Sequence, residues 1–541
     1  MTTGVNTAGE GDSISTYKDV LNLASEVGDP SLVYKFMSLA KSSALWSSRK
    51  GIAFGLGTIL DKSKLDSLLS SNKKVAGRLI PKLFRYRFDP SSTVSRTMND
   101  IWSALISNPT KTVVDNFDII LKELLANMGN REWRVRQAST AAVQDLLRYV
   151  KLERYEEQLE EIWKMAFRAM DDIKESVRNE GGLLTRYLAS TMVTKISNSN
   201  MIDDDKKSQG ILKQLIPFLL GYNGLLSESD DIKNFAFETI LKLCNTSSTA
   251  LKPFVSDMVE QMIIMMSSIE PQVINYLTLN ADKYNLKASD IDSQRLNIVG
   301  NSPMMEAIEK LMNLLNESLM PDFLIHLSNA VKKSVGLPSK VTGSRVLVNL
   351  ITRHIFLANN HGDELLKIAS GQLKDRNETI SKSYAIAIGY IARVASVKKL
   401  SSLSRKLHKY YFETEGSSSG RQRIAATTSE AISKYSPDKF QSVASMFLPL
   451  AFIGKHDTIR DKETAKLFNE EWSDSTPNSS TGIKLYFSEI VSLIEQHIKT
   501  PNFHLRQVLG LSVIEIVDKL GSSELSSGSI AKINYWILWL C

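Results

Sequence analysis

The chain has 541 residues, 43% hydrophobic and 23% charged, with 27 glycines and 14 prolines; it is far longer than one hydrophobic core organises, so several domains or one repeat array are expected. Its net charge of +7 is the small difference between 66 basic and 59 acidic side chains, and acidic pairs such as Glu156-Glu157 and Glu160-Glu161 sit beside basic ones, which argues against specific nucleic-acid binding. Two cysteines, Cys244 and Cys541, exclude a disulfide framework, and the start of the chain lacks the basic and apolar regions of a secretory signal, so a soluble intracellular protein is expected.

Residues 1–15 are rich in Gly, Ser and Thr and read as a flexible segment. From residue 16 to 197 the pattern is one of short amphipathic helices in pairs. Leu32 to Ala40 is a stripe, Ser47 to Ile59 a glycine-containing helix, and Leu65 to Leu69 with Val75 to Phe84 a further pair broken at Asp89-Pro90. Val94 to Ile106 follows; then Phe117 to Met128 pairs with Val135 to Val150, and Tyr155 to Met170 with Ile173 to Ile196. A polar break covers 198–209. The pattern resumes over 210–266, where Met258, Met262, Met265 and Met266 share a helical stripe that reads as a core seam. Residues 267–303 read as an irregular insertion or long connection. Residues 304–541 resume the array, through Pro321 to Val335, Arg345 to Leu357, Leu365 to Leu373, Ile380 to Val397 and Ser401 to Tyr411. The small residues Ala385, Ala387, Gly389 and Ala392 predict tight packing. After the loop Glu415 to Gly420, helices run to Ile530 to Leu540, whose Tyr535, Trp536 and Trp539 suit a terminal cap.

One cue recurs: a polar start, an apolar residue beside a basic one, then a small and apolar face. It reads Trp133-Arg134-Val135-Arg136-Gln137-Ala138 and Asp171-Asp172-Ile173-Lys174-Glu175-Ser176-Val177-Arg178, with looser forms at Asp231-Ile232-Lys233, Asp457-Thr458-Ile459-Arg460 and His504-Leu505-Arg506. Arg49, Arg96, Arg136 and Arg178 are spaced by 47, 40 and 42 residues, the two-helix period of HEAT-like repeats. The expected fold is an all-α, HEAT/ARM-like α-solenoid of about twelve antiparallel helix pairs. The polar residue caps the second helix, the apolar one enters the core, and the arginine stem covers apolar surface. The cue is therefore internal, and Arg136 and Arg178 are not the residues that grip a partner.

No catalytic, cofactor-binding or metal-ligating constellation emerges. The seven histidines include His354 and His361, seven apart near Asp363 and Glu364, which read as a helix end and loop. Cys244 closes an apolar run and reads as buried. Gly51, Gly55 and Gly57 lack a phosphate loop's strand and Lys-Ser ending, and Gly420 is followed by Arg421-Gln422. No enzyme activity is expected. Basic residues at Lys73-Lys74, Arg85, Arg87 and Lys398-Lys399 are scattered and read as solvated surface, with an acidic protein or anionic lipid heads as the alternative. No run is apolar and long enough for transmembrane insertion.

Several stretches carry a resemblance: Thr16-Tyr17-Lys18-Asp19, Asp29-Pro30-Ser31-Leu32-Val33-Tyr34-Lys35-Phe36-Met37, Trp46-Ser47-Ser48-Arg49-Lys50-Gly51-Ile52-Ala53-Phe54-Gly55, Trp133-Arg134-Val135-Arg136 and Met170-Asp171-Asp172-Ile173-Lys174-Glu175-Ser176-Val177-Arg178. Together they resemble the C-terminal portion of the large HEAT-repeat adaptor and scaffold family of the 26S proteasome, in its fungal form. The matches are dense to about residue 190 and continue beyond it as helical-repeat texture. The resemblance implies a non-enzymatic scaffold that binds the proteasome core particle and the ATPase-bearing regulatory particle, tethers them, and acts in quality control or inhibition. It also implies trafficking or transport partners, a place in cytoplasm and nucleus, no cofactor, and an internal linker at residues 1–15. A karyopherin-like transport or cargo adaptor is the alternative for an α-solenoid.

Overall fold

The computed structural model describes residues 73–197 except 107, 202–269 except 223 and 247, 288–524 except 414–419 and 460, and 535–536. The expectations for residues 1–72, for 270–287 and for most of the terminal cap lie outside these residues. Among the described residues every regular element is a helix and none is a strand. The chain divides into two compact units, 1–250 and 251–541.

In the first unit, helix Phe117–Asn127 packs on Trp133–Leu147, and Leu159–Met170 packs on Glu175–Ser197, which also lies against Trp133–Leu147. Helix Leu159–Met170 shows why. Leu159, Ile162, Trp163, Ala166, Phe167 and Met170 fall on one face at helical spacing, and all are buried. The Trp163 ring stacks on Phe167 at 5.4 Å and Phe167 meets Phe235 edge-on at 6.0 Å. Truncating a fully buried aromatic such as Trp163 costs about 3–5 kcal/mol. The helix starts at Leu159 rather than Tyr155 because two 3-10 turns, Leu152–Arg154 and Glu156–Gln158, come first. Between them Tyr155, 1% exposed, turns into the core 6.3 Å from Phe117. Residues 202–209, read from sequence as part of a polar break, are instead the first turns of helix Ile202–Leu220.

In the second unit, helices Leu337–Arg353, Glu378–Ile391, Gly420–Tyr435 and Lys462–Ser475 pack each on the next. Each is the second member of a pair. First helices run beside them: Ser396 ties helix Val397–Phe412 to Asp363 of Gly362–Gly371, and Ser404 of Val397–Phe412 donates to the Met446 carbonyl of Pro437–Gly454 at 2.6 Å. The sequence signals for starts are met by geometry. Asn377, Ser396, Asp461 and Asn478 each accept a hydrogen bond from a first-turn N–H, worth about 1 kcal/mol apiece.

Tight packing at the small residues is observed: Ala385, Ala387 and Ala392 are fully buried. A Cβ on Gly389 would collide with the Ala431 backbone of the next second helix, and Ser436 donates to the Gly389 carbonyl. Helix Leu337–Arg353 starts eight residues before the expected Arg345, because Gly336 at φ 85° turns the chain and Pro338 sits in the first turn. Helix Glu378–Ile391 stops short of Val397, which opens the next helix. Within the expected insertion 267–303, residues 266–269 form a 3-10 turn and Ala288–Gly300 is helical. Each unit is thus a stack of antiparallel helix pairs, the HEAT/ARM-like α-solenoid arrangement.

Candidate interaction surfaces

The recurring cue forms a ladder of charge between repeats. The Arg136 guanidinium donates through Nε to Asp172 Oδ2 at 2.6 Å and through Nη2 to Oδ1 at 2.8 Å. Its third nitrogen donates to the carbonyls of Asn130 and Arg131 at 3.0 and 2.9 Å, closing the turn before its own helix. Arg178 repeats that closure on the carbonyls of Asp172 and Ile173. Burial alone would raise the Asp172 carboxyl; the Arg136 hydrogen bonds, the Lys174 N–H and the Arg136 and Arg178 charges outweigh it and hold the carboxyl below its ordinary range.

The same device recurs with changed residues. Asp89, Asp375 and Asp461 each accept an N–H two residues on and take a cation from a neighbouring repeat: Lys340 onto Asp375 and Arg423 onto Asp461 from the preceding one, Arg134 onto Asp89 from the following one. Near residue 457 the sequence cue marked the wrong acid. Asp461 is the ladder carboxylate, while Asp457, 1% exposed, is buried and accepts from Tyr411 Oη and His504 Nε2. A carboxylate so placed orders the core and is not available to a partner.

Other residues singled out by sequence find ordinary places. Met258, Met262 and Met266 are buried core, and so is Cys244. His361 lies 3.6 Å from Glu364, and burial lowers the His354 pKa with the Arg353 charge adding to it. Among the described residues no group of three or more His, Cys, Asp or Glu side chains is placed to hold a metal ion, and no helix is long and apolar enough to cross a membrane.

The basic pair Arg85 and Arg87 is not the solvated surface expected of it. Arg85 is 5% exposed, and Arg87 donates to Asn99 at 2.8 Å with its guanidinium 4.7 Å from the Trp102 ring. The arginine stems and planes are packing material there. Lys398 and Lys399 are exposed, and the solvent face of their helix also carries Arg405 and Lys409.

What remains for partners is unmarked by the repeat pattern: exposed apolar side chains at turns and helix ends, and grooves between second helices. Ile173, at the tip of the Asp172 turn, is 97% exposed; Phe356 and Tyr222 are nearly as open. A groove of about 550 Å³ lies between helices Glu175–Ser197 and Asp230–Thr246, floored by Met170 and Phe235 and edged by Glu175, Arg178, Asp231 and Glu238. In the second unit, a cavity of about 380 Å³ spans Glu378, Arg423 and Lys466, and another of about 360 Å³ is lined by Glu430, Phe440 and Glu471.

Sequence reasoning missed the buried acids. Glu471 is 1% exposed; burial pushes its carboxyl up to about 8, against the pull of a hydrogen bond from Ser429 Oγ and with the Glu430 charge adding to the rise. Glu260, 5% exposed, meets His326 Nδ1 at 2.6 Å and Lys333 Nζ at 2.9 Å. Their contexts, Asn469-Glu470-Glu471-Trp472 and Val259-Glu260-Gln261, read as solvated helix faces; the neighbouring buried Trp472 and Val259 are the only local hints.

Residues 251–412 match the family described as proteasome adapter and scaffold protein ECM29, HEAT-repeat domain. The chain is 45% identical over 96% of its length to the proteasome component ECM29 of Saccharomyces cerevisiae. It is 33% identical over 95% of its length to the proteasome adapter and scaffold protein ECM29 of Homo sapiens. It spans 28% and 27% of those two proteins. The similarity therefore runs over nearly the whole chain, well past residue 190, where the sequence carries the resemblance mainly as repeat texture. A crystal structure of importin beta aligns with 96% of the chain and 79% of its own at 11% identity, with a TM-score of 0.28, and carries no argument.

Proposed function

We propose that this chain, similar over nearly its whole length to proteasome adapters and scaffolds, is the HEAT-repeat binding platform of such an adaptor, acting without catalysis. The observation that carries the reading is the 45% identity to a proteasome component over 96% of the chain. The geometry supports it. Ladder carboxylates and arginines are spent on stacking one repeat on the next, which leaves turns and grooves as the partner-facing surface. Many weak contacts along a repeat stack bridge two bodies more strongly than either contact alone.

In this role the adaptor tethers the proteolytic core particle and the ATPase regulatory particle, and restrains faulty assemblies, in cytoplasm and nucleus. The same similarity favours proteasome particles over karyopherin cargo as the partner. The test is crosslinking mass spectrometry on the chain mixed with core particles, regulatory particles and whole proteasomes. Crosslinks are expected from exposed turns and groove rims such as those at Lys174, Lys434 and Lys466. Absence of association with all three assemblies overturns the reading, and capture of a transport GTPase or cargo in their place restores the karyopherin-like one.

A further inference from the structure

The cavity of about 360 Å³ in the second unit lies where the C-terminal ends of helices Gly420–Tyr435 and Lys462–Ser475 meet the start of Pro437–Gly454. Carbonyls at two helix C-termini lend it partial negative charge, offset in part by the single N-terminus of Pro437–Gly454. Its rim carries three carboxylates, Glu430, Glu470 and Asp474, against one ammonium, Lys434, itself 3.5 Å from Glu430. Phe440 and Tyr486 supply aromatic wall. Glu471 belongs to the lining and is 1% exposed; its Oε1 accepts from Ser429 Oγ at 2.6 Å, while Oε2 has no hydrogen-bond partner. A buried, unpartnered carboxyl oxygen is unfavourable, and structures retain one where something else completes it.

We propose that this cavity receives an arginine side chain of a partner polypeptide, whose guanidinium pairs with Glu471 while its stem lies against Phe440 and Tyr486. The acidic rim selects a cation. A guanidinium suits the buried end better than an ammonium, because it is weakly hydrated, planar, and able to pair with a carboxylate while stacking on a ring. The inference needs only that the partner be a polypeptide, and it stands or falls separately from the proteasome reading.

A pH signature follows. The free carboxyl is held neutral near pH 7 by burial, so capture of a guanidinium releases a proton and tightens as pH rises towards 8. The other groups at the cavity are Glu430 and Lys434 on one helix, Glu470 and Asp474 on the second, and Tyr486 beyond them, while Phe440 and Ala444 face it from the third. Glu430 raises the Lys434 pKa and burial raises that of Tyr486, so neither titrates in that window.

The test titrates the full chain with acetyl-Gly-Arg-Gly-amide and its citrulline and lysine counterparts, followed by ligand-observed NMR between pH 6.5 and 8.5. The arginine peptide is expected to bind about 25-fold more tightly at pH 8.5 than at 6.5, the ratio of ionised fractions for a carboxyl near 8, with the citrulline peptide much weaker. Glu471→Gln keeps the side-chain shape and should abolish the pH dependence. Asp474→Asn, on the open rim, should weaken binding about threefold and retain it. A pH-independent arginine affinity untouched by Glu471→Gln overturns the proposal, as does no detectable binding by a folded chain. Equal binding of the lysine peptide overturns the guanidinium assignment.

Discussion

Asp172 and Glu471 are both carboxyls at the joint between successive second helices, and their environments drive them in opposite directions. Asp172 meets two nitrogens of Arg136 and the Lys174 N–H, and its pKa falls below the usual value of 3.8. Glu471 meets one hydroxyl, and its pKa climbs from 4.5 to about 8. Burial opposes the charge at both sites; the depth of burial, the number of donors and the sign of the neighbouring charge together decide which direction wins. The first carboxylate is a closed contact that fixes repeat against repeat. The second is open, which is why it is the better candidate for recognition.

Breaking the closed contact gives the largest expected effect. Arg136→Met keeps the apolar stem and removes every donor, stranding a partly buried carboxylate at a loss of about 3 kcal/mol. The loss should appear as faster hydrogen exchange in helices Trp133–Leu147 and Glu175–Ser197. Because the Asp172 pKa is depressed on folding, its contribution is complete above the unfolded value of 3.8 and fades as pH falls through the lower, folded one. The gap between variant and wild type should therefore narrow in acid. A gap that is constant from pH 7 to pH 3 would show that packing, not charge, dominates at Arg136.

The open site responds with the opposite sign. With a folded pKa near 8 against 4.5, the folded chain holds more protons between those values, so stability drains away as pH rises through that window. Glu471→Gln removes this drain. It should leave unfolding near pH 4.5 unchanged and stabilise the second unit by about 1–3 kcal/mol at pH 8. Denaturant midpoints of that unit at the two pH values check it.

The contrast also explains what could be read in the sequence. The helix pairs and their period were legible because apolar spacing and turn residues are local, and Asp172, Arg136 and Arg178 stood out because the cue repeats. Glu471 carried no such mark, since burial of an acid depends on Ser429, 42 residues away, and on the helix ends that surround it. Arg85 and Arg87 mislead for the same reason: charge in sequence reads as solvent exposure, whereas Arg85 is buried and Arg87 rests on Asn99 and Trp102. Helix Leu337–Arg353 starts ahead of the expected Arg345 with Pro338 in its first turn, where a proline loses no hydrogen bond.

Between the two extremes lies the Arg423 rung, where the guanidinium is shared by Asp461 and the more exposed Glu378. Burial would raise the Asp461 carboxyl, but Thr464 and Arg423 together lower it. Removing the arginine leaves Asp461 its capping bonds to the N–H groups of Glu463 and Thr464. Arg423→Gln should therefore cost only about 1 kcal/mol, with helix Lys462–Ser475 still capped.

The smallest effect is expected where a cation and a carboxylate from different helical elements meet in water. Lys195 Nζ lies 2.6 Å from Glu153, with the two side chains 34% and 44% exposed. The distance is as short as the Arg136–Asp172 contact, yet solvent screens both charges and the lysine gives up rotamer freedom to hold its place. Lys195→Gln should change stability by no more than about 0.5 kcal/mol, and that change should vanish in 0.5 M salt. If Lys195→Gln instead cost as much as Arg136→Met, contact distance would be the governing variable, and the donor count and burial that separate Asp172 from Glu471 would not be.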